Sequence, residues 1–267
     1  NLLALHAGFM DEATQAFNVT SINSGFVPGA PDLQKLRLKN YAAYFNDTWR
    51  MSRKLTLTMG LRWEYYSPVT EARGLSLLPR LLPSGAINTL LNPNGVLDWA
   101  GSLLKRDWYR KDFNNFGPNI GLAWQPFGDS KTVIRAGYSV NYPNDDFIRS
   151  VDNNVFSNSG LNSSGTLVNL TNTLSNRPAI TAPEFKVPRT FADNYELDSF
   201  SAFGMPDPNL RTPYVQQWNF SIQREIAKGV LDVRYVGNHA TKQFRAFDYN
   251  QVLVRPDEIP GYFEDFS

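Results

Sequence analysis

The residues best suited to chemistry fall between positions 92 and 116, where Trp99, Trp108, Tyr109 and Phe113 are interleaved with Lys105, Arg106, Arg110 and Lys111. Indole and phenol rings offer flat faces on which sugars or aromatic solutes stack, and guanidinium groups grip carboxylates in a fork geometry. Trp99, Trp108, Tyr109 and Arg110 are therefore the candidate ligand-binding residues. The same rings serve equally to pack a loop onto its neighbours. Other constellations are poorer. His6 and His239 are the only histidines and there is no Cys, so any nucleophile–base pair would rest on one of two isolated imidazoles. No H-x-x-x-H or E-x-x-H spacing sets two metal ligands side by side. Asp145 and Asp146 with Asn141 and Asn144 present the hard oxygens that Ca²⁺ takes, but not the alternating ligand spacing of a calcium loop. Asp193, Glu196 and Asp198 contain the carboxyl pair that glycoside hydrolysis requires, yet that chemistry needs a defined separation across a cleft. An acidic loop is the plainer reading. The sequence thus leads us to expect no catalytic residues, no metal, no cofactor and no enzymatic activity.

The elements that must position these residues are strands. Between 55 and 66, Leu55, Leu57, Met59, Leu61, Trp63 and Tyr65 occupy one parity, while Thr56, Thr58, Gly60, Arg62, Glu64 and Tyr66 occupy the other. Alternate side chains of a strand point to opposite faces, so one face is wholly apolar and ends in aromatics while the other is polar. A membrane barrel wall requires this pattern, and its length suits the roughly 9–11 residues of a tilted membrane-crossing strand. Six segments repeat it, in three hairpins at 36–66, 116–142 and 214–237. Ile120, Leu122 and Trp124 alternate with polar or small residues, as do Ile134, Ala136 and Tyr138, then Trp218, Phe220 and Ile222, then Leu231, Val233 and Tyr235. The segment before residue 50 alternates less cleanly, because Asp47 shares the parity of Tyr41, Ala43 and Phe45. Arg62, Glu64, Arg135 and Arg234 fall on the polar parity, where wall or plug salt bridges are expected.

Connections between these segments run short, long, short, long, short. Residues 50–53, 126–130 and 226–229 are tight turns, whereas 67–115 and 143–213 are long and irregular. Ordinary domains have connections of about 4–6 residues. Outer-membrane barrels combine short periplasmic turns with long extracellular loops. The fold class expected is all-β, an antiparallel meander forming part of a large transmembrane β-barrel. Residues 1–35 read as an extracellular loop with one possible strand at 17–26, and residues 36–267 as barrel wall, with a further possible strand at 243–254. Net charge of +1 gives no reason to expect a nucleic-acid partner, and no apolar run is long enough for a membrane helix. The opening Asn-Leu-Leu-Ala-Leu lacks a basic leader, and six to eight wall strands are few for such large loops, so the chain reads as an internal portion of a longer precursor.

Tyr41-Ala-Ala-Tyr-Phe-Asn-Asp-Thr-Trp49 followed by the 55–66 strand resembles the paired strands of TonB-dependent outer-membrane receptors. Residues 116–126 (Phe-Gly-Pro-Asn-Ile-Gly-Leu-Ala-Trp-Gln-Pro), 132–138 (Thr-Val-Ile-Arg-Ala-Gly-Tyr) and 217–225 (Gln-Trp-Asn-Phe-Ser-Ile-Gln-Arg-Glu) are similar to the large-barrel branch with a carboxypeptidase-regulatory-like N-terminal domain, common in Acidobacteria. The resemblance covers about residues 36–237. It implies a bacterial outer-membrane location, a barrel of 22 strands, an N-terminal plug, and a TonB box that couples uptake of a bulky nutrient to the inner membrane. Neither plug nor box lies in these residues. Its implied partners are outer-membrane lipid and lipopolysaccharide, the plug and TonB, and further barrel strands of the same precursor. Two other readings stay open: a passive or structural barrel (porin or adhesion scaffold), and a soluble carbohydrate-binding β-sandwich, which would bury the apolar faces between two sheets.

Overall fold

The computed structural model describes residues 6–128, 131–143, 155–156, 158–197, 199 and 202–249. Its strands, in chain order, are β1 (Glu12–Val19), β2 (Phe26–Pro28), β3 (Leu36–Arg37), β4 (Asn40–Ser52), β5 (Leu55–Tyr66), β6 (Thr70–Glu71), β7 (Leu77–Pro79), β8 (Val96–Trp99), β9 (Asn115–Trp124), β10 (Thr132–Asn141), β11 (Asn162–Val168), β12 (Arg189–Thr190), β13 (Tyr214–Ile226) and β14 (Gly229–Thr241). The short helices α1 (Ala86–Leu90) and α2 (Phe191–Leu197) lie in the long connections.

The three expected hairpins form one six-stranded antiparallel sheet in the order β14-β13-β10-β9-β5-β4. Its register carries the alternation straight across. Trp49, Leu57, Leu122, Ala136, Phe220 and Tyr235 form one continuous row of paired residues. On the opposite face, Arg50, Thr56, Ala123, Arg135, Ser221 and Arg234 form another. Successive rows obey the same rule, so each strand's pattern agrees with its neighbour's. Asp47 pairs with Met59 and stands on the apolar parity of β4, a strand that lies at one edge of the sheet.

The apolar face is not buried by a second sheet. Leu61 is 47% exposed, Phe220 43% and Val233 60%, while Leu57, Ile134 and Tyr138 are half-exposed. This disposition suits a wall whose outer surface meets hydrocarbon and does not suit a sandwich with a dry core. The strands are 10–13 residues long, enough to cross a bilayer when tilted. No helix among the described residues is long and apolar enough to do so. The three tight connections lie at one end of the sheet, the two long ones at the other. Close packing is needed where Trp218 lies across Gly237: a Cβ at that glycine would collide with the indole.

Several boundaries differ from expectation. The first hairpin begins at Asn40 and turns at 53–54, because β4 runs on to Ser52 past an irregularity in its pairing. Leu36 and Arg37 form a separate short strand against Glu71 and Thr70. The N-terminal strand is Glu12–Val19 rather than 17–26. It pairs with β11 and β2 in a three-stranded sheet, so residues 12–28 are more structured than a loop. The last wall strand extends to Thr241, and residues 243–249 contain no strand. The remainder of the expected 243–254 strand, and the turn residues Asp129 and Ser130, lie outside the described residues.

The two faces predict unequal tolerance of charge. Phe220→Arg in the membrane-inserted protein is expected to cost about 2–4 kcal/mol near mid-membrane, and Asn219→Arg, one residue away on the polar face, well under 1 kcal/mol. Urea unfolding in lipid vesicles measures the difference, and equal costs would refute the assignment of faces.

Candidate functional site

The long connections fold against each other and contain the principal buried cluster among the described residues. Val69, Leu78, Ala100, Trp108, Tyr109 and Val155 form it, with Leu38, Phe156, Met205, Leu210 and Phe244 packed around them. Trp108 is 2% exposed, its Nε1 donates to Ser76 Oγ at 3.2 Å, and its ring meets Phe156 edge-to-face at 5.5 Å. Tyr109 is 5% exposed, and its hydroxyl accepts the Val69 amide at 3.4 Å. Burial pushes its phenol far above the ordinary range.

Polar groups lock the same region. Arg106 donates to the carbonyls of Asp98, Trp99, Leu78 and Pro79, stitching the β7–β8 pair together, and its burial lowers its pKa. The buried Glu71 carboxylate accepts the amides of Lys35, Arg73 and Leu75 at 2.7–2.9 Å and pairs with Arg73 Nε. Asp112 ties one long connection to the other, accepting from Arg211 at 3.0 Å and from the Thr212 amide at 3.2 Å. Such carboxylates are held by several donors each, as a buried charge must be.

The candidate ligand residues are thus divided. Trp108 and Tyr109 belong to the core of the folded connections and offer no face to a ligand. Trp99 is half-exposed, 6.4 Å from the Phe185 ring, and Arg110 is exposed, with its amide bonded to Pro208 O. Phe113 leaves the group altogether: its ring stacks on Tyr65 at 4.5 Å and its carbonyl accepts Trp63 Nε1, which places it on the apolar face of the wall. A small, partly open pocket beside this core, bounded by Leu77, Val155 and Asn158 and by the exposed residues 32–34, holds about 20 Å³, room for a water. An open hollow of about 320 Å³ lies elsewhere, over the polar face of the wall, among Thr58, Asn119, Gly121, Arg135, Gly137 and Asn219. Sequence reading did not single out this hollow. The row of small residues on the polar parity, Gly121 opposite Gly137, was its available signal.

The sequence profile of the family described as Outer membrane beta barrel domain matches residues 12–263. The chain belongs to this family. The matched span takes in all six wall strands together with the folded connections, and the barrel domain places the protein in the bacterial outer membrane. No curated protein and no solved structure matches the chain.

In the frame of the barrel domain, the apolar face is the lipid surface and the polar face the lumen. The lumen-side charges find partners within the wall: Arg62 pairs with Glu64, Arg234 with Asp232 at 3.0 Å, and Arg135 hydrogen-bonds Gln223. Tyr66 then joins Glu64 to the Tyr142 carbonyl at 3.0 Å each. His239 sits in β14 opposite Gln216, and His6 is exposed. Asn141 donates to Ser139 Oγ, while Asn144, Asp145 and Asp146 lie outside the described residues. Of the acidic trio, Asp198 also lies outside them. Asp193 caps α2: Thr190 Oγ1 accepts the Asp193 amide and Asp193 Oδ2 accepts the Thr190 amide, a reciprocal capping box. Lys186 binds its other oxygen at 2.9 Å. Together, Lys186 first and the Thr190 amide second, they hold this carboxyl down at about 2.

Two outcomes follow. Trp108→Ala is expected to destabilise the folded connections by about 3–5 kcal/mol, the cost of truncating a buried aromatic. Trypsin should then cut at Arg110 and Lys111 while heat-modifiable migration of the wall persists; resistance to cleavage would contradict the core role. The Asp193 carboxyl has a folded-state pKa below its unfolded value of about 4, so its contribution is complete above that value and disappears as pH falls through about 2. Pepsin cleavage around 186–197 should accordingly rise between pH 4 and pH 2 in the parent. In Asp193→Asn it should be high throughout.

Proposed function

We propose that this barrel domain is the wall and outer-loop portion of a TonB-dependent receptor that imports a bulky nutrient, such as an oligosaccharide, a peptide or a metal chelate. The observation that carries the reading is the open sheet. Among the described residues β4 and β14 each have a wall neighbour on one side alone, although the connections above them are large and folded. Backbone groups at an edge in hydrocarbon have no water to bond, so both edges must receive further strands, and a wider barrel results. Further strands of the same precursor supply them. The ordered resemblance of the strands at 41–49, 55–66, 116–126, 132–138 and 217–225 to such receptors supports the same conclusion. A polar lumen face lined with small residues leaves room inside for a plug.

The ligand approaches from the end where the long connections meet. Of the four candidate ligand residues, Trp99 and Arg110 have surface to offer it, a stacking face and a carboxylate-pairing fork. A passive or structural barrel would share the wall but not the energy coupling. The full protein, reconstituted in planar bilayers and separately mixed with the periplasmic domain of TonB, distinguishes them. A receptor is expected to bind TonB and to show no steady ion conductance, because a plug fills its lumen. Stable conductance without TonB binding would establish the passive barrel instead.

A further inference from the structure

We propose that the outer edge of β11 (Asn162–Val168) is a binding site for an extended peptide, which joins the β11-β1-β2 sheet as a fourth strand. The site rests on the outer placement of the long connections. That its peptide is the imported nutrient rests on the receptor reading, whose three nutrient classes it narrows to one. The Val19 amide donates to the Leu161 carbonyl at 2.9 Å, and on the other side of β1 the Gly29 amide donates to the Ala16 carbonyl at 2.8 Å. In the antiparallel register this turns the backbone of Ser163, Gly165 and Leu167 toward β1. The N–H and C=O groups of Asn162, Ser164, Thr166 and Val168 point the other way, where no strand among the described residues meets them. All four residues are exposed. A Cβ at Gly165 would collide with Ile180, so the chain near position 180 covers the face that carries Phe17. The opposite face, with Thr14, Ala16, Ser164 and Thr166, is open.

The other strand edges in the long connections are guarded, and this one is bare. β2 and β7 are three residues long and end in Pro28 and Pro79. β12 is two residues long and follows Pro188, and β3 and β6 are a two-residue pair. Shortness and proline are ordinary means of keeping stray strands away. β11 has seven residues, with no proline, no lysine and no break in its pairing. Its Ser, Gly and Thr side chains set little bulk against a partner. Donors and acceptors repeating along about 20 Å match the backbone of another extended chain, and a sugar or a chelate lacks that repeat. Carboxylates mark both ends. Asp32 accepts the Asn162 side-chain amide at 3.3 Å, and Glu12 stands opposite Val168. Both acids are exposed, and neither joins an ion pair among the described residues. A peptide with Lys or Arg near each terminus complements them.

The test uses the full protein in detergent with the octapeptide Lys-Thr-Val-Thr-Val-Thr-Val-Lys, read by amide-resolved hydrogen exchange. In the free protein the Ser164 and Thr166 amides should exchange roughly tenfold faster than those of Gly165 and Leu167, and saturating peptide should slow them to match. Adjacent prolines interrupt both edges of a peptide, so Lys-Thr-Val-Pro-Pro-Thr-Val-Lys should leave them fast, as should maltohexaose. Glu in place of both Lys should weaken binding about five- to tenfold. Thr166→Pro removes one outward donor without touching the bonds to β1, and should weaken the octapeptide about five- to tenfold, the worth of one backbone hydrogen bond. Protection of Gly165 and Leu167 in that variant shows the sheet intact; if it is lost, the proline peptide decides the matter on the parent protein. Mixing the same preparation with the periplasmic domain of TonB separates the two readings: TonB binding without protection by the octapeptide discards the site and keeps the receptor. Slow exchange at Ser164 and Thr166 before peptide is added, from a second copy or another strand of the precursor, would overturn the proposal. So would equal protection by the proline peptide, or protection by maltohexaose alone.

Discussion

Register is the constraint on which the rest of this molecule depends. Six strands place their apolar residues in common rows, and a slip of one residue anywhere would exchange the two faces beyond that point. The row brought outward would hold Arg50, Arg135 and Arg234 in place of Trp49, Leu57 and Phe220. In water such an exchange is costly; in hydrocarbon an arginine at the midplane costs about 2–4 kcal/mol by itself. Each strand pair is therefore specified by its chemistry as well as by its turn. The small residues contribute too, since Gly237 leaves the space that Trp218 occupies and keeps that row flat against its neighbour.

The wall has no interior of its own within these residues, and the hydrophobic core has been placed elsewhere. It lies in the connections, where Trp108 and Tyr109 pack with aliphatic residues from separate stretches of chain. Ion-pair networks around Glu71 and Asp112 fix the backbone about this core. The domain thus combines two modes of stabilisation. Backbone pairing and lipid contact hold the strands, while ordinary burial holds the loops.

How much of this was legible in the sequence depends on the range of the interactions. The hairpins could be read because period-two alternation is local, and the tight turns interrupt it cleanly. Asp47 blurred the first strand because a single acid broke the pattern, although the pairing of Asp47 with Met59 leaves the register unbroken. The small sheets of the long connections could not be read. Strands of two or three residues such as β6, β7 and β12 exist only through partners far away in sequence. The candidate ligand group illustrates the same limit. Aromatics interleaved with cations describe a binding surface and a packed core equally well, and only burial separates Trp108 and Tyr109 from Trp99 and Arg110. Arg106 was indistinguishable from its neighbours until its four carbonyl partners came into view.

The contact between Asp112 and Arg211 has a consequence for the order in which the molecule is assembled. Its two ends are 99 residues apart in sequence and lie on the same side of the membrane, with the β9–β10 hairpin threaded between them. Both must be carried across the bilayer before they can meet. The clasp can therefore close only after the chain of two hairpins, β4–β5 and β9–β10, has been threaded and the second connection delivered to the far side. During insertion the aromatic residues of both connections travel unpacked, and Trp108 finds Phe156 at the end of the process. A membrane-insertion machine handling this chain must then tolerate two long, apolar-rich segments in transit, and the closing of the clasp makes their passage hard to reverse.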